Sequence, residues 1–451
     1  MHPLDGPDLF QLAQERPARP MHTLKVAVLD GEVEARAVDE WMTSKSATAA
    51  PLRWVLAGPR WARPVWVDGG PPEVTAHLDH MSLPAPGGER EIEALLSRLC
   101  SGRLERDRPL WHLTHVTGLA GGKDALVFQV HHALADGSGS VALWDALSDE
   151  VGEHDAAKGA PAAVAGPRPT DRALTAGALR SGAHALARLP NQLLRFGQAE
   201  RRIRTAECGG HPVAAKPFSG PSTRFNGLPE PERRCAFVGL PLHRLQGLRA
   251  ATGATLTELF LTLAGGAVDA QLRSVGETPG SSLTATVPAG LPTRPHAYGN
   301  GVTVLYLSLH SDEPDAARRL AAVRTSVAAA KASTANDPRL LPDFQRFPRL
   351  YRGVVAGMEL DERRRGRPAY NLICSSVRGP RPLTLVGRRV EALRSVGPLA
   401  GRFGLNLTAW SYRDELSVGL QAYASAGAGL GRIGDHLADE LDRLEARVAA
   451  A

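Results

Sequence analysis

Cysteine is scarce in this 451-residue sequence, which contains only Cys100, Cys208, Cys235 and Cys374. No two of them have the spacing of a zinc site, and four scattered thiols do not make the framework of a disulfide-rich secreted domain. We therefore expect reduced thiols, no metal site and a location in the cytoplasm.

Long apolar runs are missing as well. The longest runs from Leu259 to Val268, about half of the roughly twenty residues that a membrane-spanning helix needs. The N-terminal twenty residues contain acidic residues and prolines, where a signal peptide needs a basic start and an apolar core. The sequence thus predicts a protein that does not cross a membrane and at most contacts its inner face.

Lysine is rare, and arginine supplies most of the 53 basic residues. Against 47 acidic residues they give a net charge of +6. Richness in Arg and Ala is typical of a GC-rich genome such as that of an actinobacterium. The basic clusters lack the interleaved aromatic residues that stack on bases, so nucleic acid is excluded as a partner. We interpret the clusters as solvated faces, with CoA phosphates or an anionic membrane surface as alternatives. They comprise Arg195, Arg201, Arg202 and Arg204, and the run Arg363–Arg367.

Helical and strand patterns alternate along the chain and predict an α/β fold with mixed sheets. Strands are expected at 22–29, 110–117 and 125–131, and Glu89–Cys100 has the i, i+3, i+4, i+7 pattern of a helix. Residues 152–170 have the Ala/Pro/Gly composition of a linker, and a basic helix broken by Pro190 is expected from about 171 to 207. We therefore divide the chain into an N-terminal domain (1–150), a linker and crossover helix (151–234) and a C-terminal domain (235–451).

The strongest chemical signal is the run His131-His132-Ala-Leu-Ala-Asp136-Gly137 at the end of the strand predicted at 125–131. Side chains alternate between the faces of a strand, so only one of the two histidines can face a given channel. Asp136 and Gly137 supply turn residues before a predicted helix. A His beyond a strand end, with no Cβ on Gly137 to block a bulky substrate, suits a general base. The alternative is a pair of buried histidines with ordinary hydrogen bonds.

This HHxxxDG motif resembles the signature of the CoA-dependent acyltransferase superfamily, which includes chloramphenicol acetyltransferase and peptide-synthetase condensation domains. Nearly the whole chain resembles one of its branches, the bacterial wax ester synthase/diacylglycerol acyltransferase family. The blocks that carry this resemblance, in the same order as in the family, are Leu4–Asp8 with Phe10, Pro20–His22, Arg106–Trp111, Arg224–Asn226, Tyr298–Asn300, Ser375–Pro380 and Gly404–Thr408.

The resemblance implies two chloramphenicol acetyltransferase-like domains with a tunnel between them and one active site. His132 would take the proton of an acceptor hydroxyl that attacks an acyl-CoA thioester, then return it to the leaving thiolate. His131, Asp136 and Gly137 are expected to support the motif structurally, with a triad role that orients His132 as the alternative for Asp136. No metal and no bound cofactor is expected beyond the acyl-CoA substrate. The candidates for oxyanion binding or substrate lining are Thr257, Ser375, Ser376, Asn406 and Trp111.

Three blocks depart from the family pattern. Thr257-Glu258 stands where Asn-Asp is usual, and Pro288–Arg294 replaces a Pro-Val-Ser-x-Arg block. Ser375–Pro380 reads Ser-Ser-Val-Arg-Gly-Pro where Ser-Asn-Val-Pro-Gly-Pro is usual. The resemblance implies a fatty alcohol or diacylglycerol as acceptor, with contact to a membrane or lipid-droplet surface. The departures favour a specialised metabolite as the alternative acceptor. A non-catalytic acyl-CoA or lipid binding protein is the alternative of another class. Glu258 either lines the tunnel, where it would contact a polar acceptor, or caps a surface turn, where it says nothing about the acceptor.

Overall fold

The computed structural model describes residues 2–4, 6–59, 63–150, 169–208, 214–290, 298–332 and 348–450. Two six-stranded mixed sheets and a small three-stranded sheet form the framework of these residues. The strands in the first half are β1 (His2–Pro3), β2 (His22–Leu29), β3 (Trp54–Ala57), β4 (Val65–Asp68), β5 (Leu78–Ser82), β6 (Trp111–Leu119) and β7 (Lys123–His131). Those in the second half are β8 (Arg233–Pro241), β9 (Thr284–Gly290), β10 (Val302–Ser308), β11 (Leu372–Arg378), β12 (Thr384–Leu385), β13 (Arg388–Val396), β14 (Leu405–Tyr412) and β15 (Glu415–Tyr423).

Helices cover the sheets. They are α1 (Gly6–Gln14), α2 (Ala35–Thr48), α3 (Glu89–Leu99), α4 (Gly137–Leu147), α5 (Asp171–Cys208), α6 (Leu242–Thr252), α7 (Leu256–Ser274), α8 (Ala316–Ala332), α9 (Pro348–Arg365) and α10 (Leu430–Ala449). The prediction of an α/β fold with mixed sheets is confirmed. The expected strands at 22–29, 110–117 and 125–131 and the helix at 89–100 lie within two residues of their observed bounds.

One prediction about the helices is wrong, because α5 is not broken at Pro190 but continues through it to Cys208. A proline removes one backbone hydrogen bond and crowds the preceding turn. Pro190 is exposed, so water can bond the carbonyl that it frees. The expected linker falls almost wholly on 151–168, which lies outside the described residues.

The first large sheet, here called the N-terminal sheet, has the order β12-β13-β2-β7-β6-β5. The C-terminal sheet has the order β10-β9-β11-β14-β15-β8. Strand β13 belongs to the second half of the sequence, yet it pairs antiparallel with β2, with Val396 opposite Leu24. The two halves therefore share a sheet, and the division at residue 234 stays a prediction.

The two halves also meet through side chains. Helix α3 of the first half packs against β8 of the second. There the thiols of Cys100 and Cys235 lie 3.5 Å apart as free cysteines. A cluster of buried apolar residues from both halves, including Val116, Cys235 and Val396, fills the space around them. The chain thus has a continuous interior across this contact, which we call the seam.

No single described helix is long and apolar enough to cross a bilayer. Helices α6 and α7 meet the length and composition criteria only as a pair, and they are bent by 107° relative to each other.

Candidate active site

The HHxxxDG motif lies where β7 ends and α4 begins. Strand β7 is buried along nearly its whole length and pairs with β2, which places His131 opposite His22. The chain then turns, and Asp136 becomes the N-cap residue of α4. A rigid central strand and a capped helix therefore hold the motif from both sides.

The His131 side chain is fully buried. Its Nδ1 atom accepts a hydrogen bond from the backbone N–H of Ala133 at 3.0 Å, so Nε2 carries the ring proton. Nε2 lies 3.5 Å from Oε1 of the buried Glu15, whose other oxygen pairs with Arg106 at 2.6 Å. Burial opposes ionisation of Glu15, but its interactions with His131 and Arg106 lower its pKa to about 2. This network agrees with the expected structural role of His131.

His132 is partly exposed, and its backbone N–H donates to the carbonyl of Met21 at 2.8 Å. Burial of the ring lowers its pKa to about 4, the charge of Asp136 acts in the opposite direction, and Lys25 lowers the pKa further. The Nδ1 atom lies 3.3 Å from Nδ2 of Asn300. No described residue hydrogen-bonds Nε2. At neutral pH His132 is therefore a neutral base with one ring nitrogen available to a substrate.

Asp136 does not hydrogen-bond His132. One carboxylate oxygen accepts from the backbone N–H of Gly139 at 2.8 Å, which caps α4. The other accepts from the N–H of Gly301 at 2.9 Å, and the Asp136 N–H donates to the Gly299 carbonyl. These bonds support the structural role for Asp136 over the triad role.

A second carboxylate, Asp8 of α1, holds the same loop. Its Oδ1 atom accepts from the N–H of Asn300 at 2.6 Å, next to Gly299, which has a positive φ of 83°. The Tyr298–Asn300 block is therefore fixed between Asp8 and Asp136 with the Asn300 side chain at His132. The sequence analysis used the Leu4–Asp8 and Tyr298–Asn300 blocks for the resemblance, but it did not predict that the two blocks contact each other.

Gly137 is needed for a reason that the sequence did not suggest. A Cβ atom at this position would lie 2.6 Å from Cγ2 of Val377 on β11. The glycine thus allows the motif to contact the C-terminal sheet and does not leave space for a substrate. Ser375 lies two residues before Val377, on the same face of β11, and is the candidate on the side of the motif. Ser376 lies on the opposite face with Cys374, which is buried in the core of the second half and whose thiol pKa is raised by burial.

Two candidates are occupied by structural contacts. Asn406 is buried, donates to the Pro398 carbonyl at 2.8 Å and accepts from the Thr408 hydroxyl at 2.8 Å. Trp111 is 1% exposed, stacks between His77 and Phe128, and donates to the Leu52 carbonyl at 2.9 Å. The Trp111 N–H has no capacity left for an oxyanion, and the Asn406 amide is held in place by these two structural bonds.

The departure at Thr257-Glu258 has a local explanation. Thr255 is the N-cap of α7, and its hydroxyl accepts from the Glu258 N–H at 3.2 Å. The Glu258 carboxylate accepts in return from the Thr255 N–H at 2.8 Å, which completes a capping box. Glu258 thus caps a partly exposed helix start, as the surface-turn alternative required, and Thr257 lies beside it in the first turn. Residues 291–294 of the other altered block lie outside the described residues.

Lys25 is an unexpected residue near the site. It is 3% exposed, donates to the Ser395 hydroxyl at 2.6 Å, and its Nζ lies 4.4 Å from the centre of the Trp410 ring. Burial lowers its pKa to about 7, and the charge of Asp136 opposes this. The sequence offered a signal for this buried charge, because Lys25 lies in the middle of a largely apolar strand, His22–Leu29.

The basic clusters are partly placed. Arg363–Arg365 lie exposed at the end of α9, where Arg365 pairs with Asp361 and stacks on Phe218. Arg201 is exposed on α5, while the side chains of Arg195, Arg202 and Arg204 lie outside the described residues.

No group of three or more His, Cys, Asp or Glu that could hold a metal ion occurs among the described residues. A cleft of about 580 Å³ opens between β13 and the ends of β8 and β14, and it does not reach His132. The tunnel stays a prediction.

Comparison with known families gives two matches. Residues 4–260 match the wax ester synthase/diacylglycerol acyltransferase catalytic domain. Residues 298–445 match the C-terminal domain of the same family.

Individual relatives agree with these matches. A Mycobacterium tuberculosis protein named as a diacylglycerol O-acyltransferase is 32% identical over 439 residues, which cover 93% of this chain and 90% of the relative. The O-acyltransferase WSD of Acinetobacter baylyi is 28% identical and covers 100% of this chain and 98% of its own length.

Solved structures share the fold. The wax ester synthase/diacylglycerol acyltransferase of Marinobacter aquaeolei has a TM-score of 0.67 at 23% identity, over 99% of this chain and all of that one. The first condensation domain of the CDA synthetase has a TM-score of 0.59 at 19% identity, over 98% of this chain and 96% of that one.

Proposed function

The chain belongs to the wax ester synthase/diacylglycerol acyltransferase family, and we propose that this acyl-CoA-dependent O-acyltransferase uses His132 as its general base. The observation that carries the proposal is the state of the imidazole. Its pKa is lowered to about 4, and Nε2 is free of hydrogen bonds from the described residues. A neutral base is therefore available at physiological pH.

The reaction follows from that geometry. The lone pair of Nε2 takes the proton of the acceptor hydroxyl as the oxygen attacks the thioester carbonyl, which forms a tetrahedral oxyanion. When the C–S bond breaks, the imidazolium returns the proton to the CoA thiolate and His132 is neutral again. A positioned base of this kind contributes about 10²–10⁴-fold. Ser375 is our candidate donor to the oxyanion, because its face of β11 is the one that reaches Gly137.

For the acceptor we propose a fatty alcohol or a diacylglycerol, the classes that the relatives' names carry. The altered block at Thr257-Glu258 motivated a specialised metabolite. Because Glu258 satisfies a backbone N–H at the start of α7, this departure has a structural role and gives no support to a polar acceptor. The intact HHxxxDG motif argues against the non-catalytic alternative, since a binding protein needs no base.

Contact with an anionic lipid surface is part of the proposal. Helix α5 carries seven arginines against three acidic residues, and no other described element packs extensively against it. A long basic helix without extensive packing against the other described elements suits a bilayer surface that presents a lipid acceptor.

The test measures CoA thiol release by the purified protein with palmitoyl-CoA and either hexadecanol or dioleoylglycerol. The lipid acceptor is supplied in vesicles with and without phosphatidylglycerol. We expect release that depends on the acceptor and increases with the anionic lipid. His132→Ala should abolish transfer and His131→Ala should be milder per folded molecule, because the His131 ring faces Glu15. Full activity of His132→Ala, or no transfer to either acceptor, would overturn the assignment.

A further inference from the structure

We propose that Asn300 is a positioning residue for His132, and that its side-chain oxygen, not its nitrogen, faces Nδ1 in the working enzyme and holds the ring proton there. This inference rests on the proposed role of His132. It goes further, because it assigns to the Tyr298–Asn300 block a function in setting which ring nitrogen is basic.

The requirement comes from the imidazole itself. A neutral imidazole has one N–H donor and one acceptor nitrogen. Nε2 is the nitrogen without a partner among the described residues, so it must be unprotonated to accept the hydroxyl proton, and Nδ1 must carry the ring proton.

The side-chain amide of Asn300 faces Nδ1 of His132. Its Nδ2 atom lies 3.3 Å from Nδ1, and this nitrogen can only donate. In that orientation Nδ1 must accept, the proton moves to Nε2, and His132 cannot take a proton from an alcohol.

A half-turn of the amide about the Cβ–Cγ bond removes the conflict at Nδ1. It places Oδ1 against Nδ1–H, where it accepts the proton, and it frees Nε2 as the base. The amide and the imidazole thus form a pair with two matched arrangements, of which only the one with the oxygen inward is catalytically competent.

The backbone of Asn300 is held independently of its side chain. Its N–H donates to Asp8 at 2.6 Å, and Asp136 binds the neighbouring Gly299 and Gly301 through backbone groups. A substitution at Asn300 therefore removes the amide while the loop stays anchored. Asp8 and Asp136 act on His132 through this loop.

The direct test is the tautomer of His132 in the full-length protein. Long-range 1H–15N spectra of 15N-histidine-labelled protein at pH 7 distinguish the two neutral tautomers, and His132→Gln identifies the signal. We expect a proton on Nδ1 and an unprotonated Nε2 in the wild type. A proton on Nε2 in an active enzyme that needs His132 would overturn the inference and leave the proposed function standing.

Two variants complete the test. Asn300→Leu removes the acceptor, so we expect kcat to fall about 10–100-fold with little change in KM for acyl-CoA and the melting temperature preserved. Asn300→Asp keeps an acceptor oxygen and adds a charge, so the Nδ1–H tautomer should persist. The acid limb of the pH–rate profile should then move to higher pH. Gln246→Glu, at an exposed position of α6, adds the same charge away from the site; it is the matched control and should change neither. Full kcat in Asn300→Leu would refute the role of Asn300, whereas loss of the His132 requirement would refute the proposed function itself.

Discussion

The HHxxxDG motif shows what individual residues reveal and what they conceal. The strand alternation that separates His131 from His132 is a property of the sequence, so the different roles of the two rings could be predicted. Their partners could not. Glu15 and Asn300 lie 116 and 168 positions from the histidines that they contact, and no local pattern links residues over such distances.

The depressed pKa of His132 leads to a testable pH dependence. Desolvation disfavours the charged imidazolium, so the free base persists well below the ordinary value of about 6.5. Because kcat/KM reports the free enzyme, its acid limb should lie near pH 4 and the profile should be flat between pH 5.5 and 7.5. Stopped assays with acyl-CoA across that range, with circular dichroism as a check on folding, give the measurement. A limb near pH 6.5 would mean that the imidazole is better hydrated than its burial indicates.

At the scale of elements, apolar periodicity predicts most helices and strands. The elements that it does not predict have physical explanations. Strand β5 (LDHMS) is an edge strand with four exposed side chains, so its residues do not alternate between apolar and polar. Helix α9 ends in an arginine run, which the sequence predicts as a solvated face, with CoA phosphates or an anionic membrane surface as alternatives. The helix signals at α4 and α7 could be predicted in kind, since Asp136 and Thr255 are favoured N-cap residues.

These two caps permit a matched comparison. Asp136→Ala should lower the free energy of unfolding by about 1–3 kcal/mol, because the capping bond is lost and the partly buried Gly301 N–H loses its acceptor. Glu258→Ala removes one member of a more exposed capping box and should cost about 1 kcal/mol without a change in turnover. Urea unfolding monitored by Trp fluorescence gives both values. A stable Asp136→Ala with the activity of His132→Ala would favour the triad role instead.

At the scale of the whole molecule, the two α/β halves could be anticipated, but not the way in which they join. Strand β13 reads as an ordinary strand of the second half, and only the tertiary structure places it beside β2. Lys25 makes a buried polar contact between the halves, because it connects β2 with Ser395 of β13 and Trp410 of β14. Among the described residues no carboxylate lies within ion-pair distance of it.

This buried lysine should limit the stability of the joined halves in a pH-dependent way. Its pKa is about 7 in the folded protein against 10.5 as the ordinary value, so between these two values the unfolded chain binds more protons than the folded one. Stability therefore rises with pH across that window, and below about pH 7 the lysine costs a constant amount, of the order of 5 kcal/mol. Lys25→Met removes this cost but leaves the Ser395 hydroxyl without a donor, so we expect a net gain of about 1–4 kcal/mol at pH 6.5.

The comparison of wild type and Lys25→Met by urea unfolding at pH 6.5, 8 and 9.5 tests this argument. The difference should be largest at pH 6.5 and shrink as pH rises, because the lysine then becomes neutral in the folded protein. Lys123→Met, at a more exposed position, is the control and should show no such trend. A Lys25→Met protein that is less stable at every pH would mean that the ammonium is well solvated or paired at this contact between β2, β13 and β14. In that case the cation would hold the two halves together, and the site beside His132 would depend on its charge.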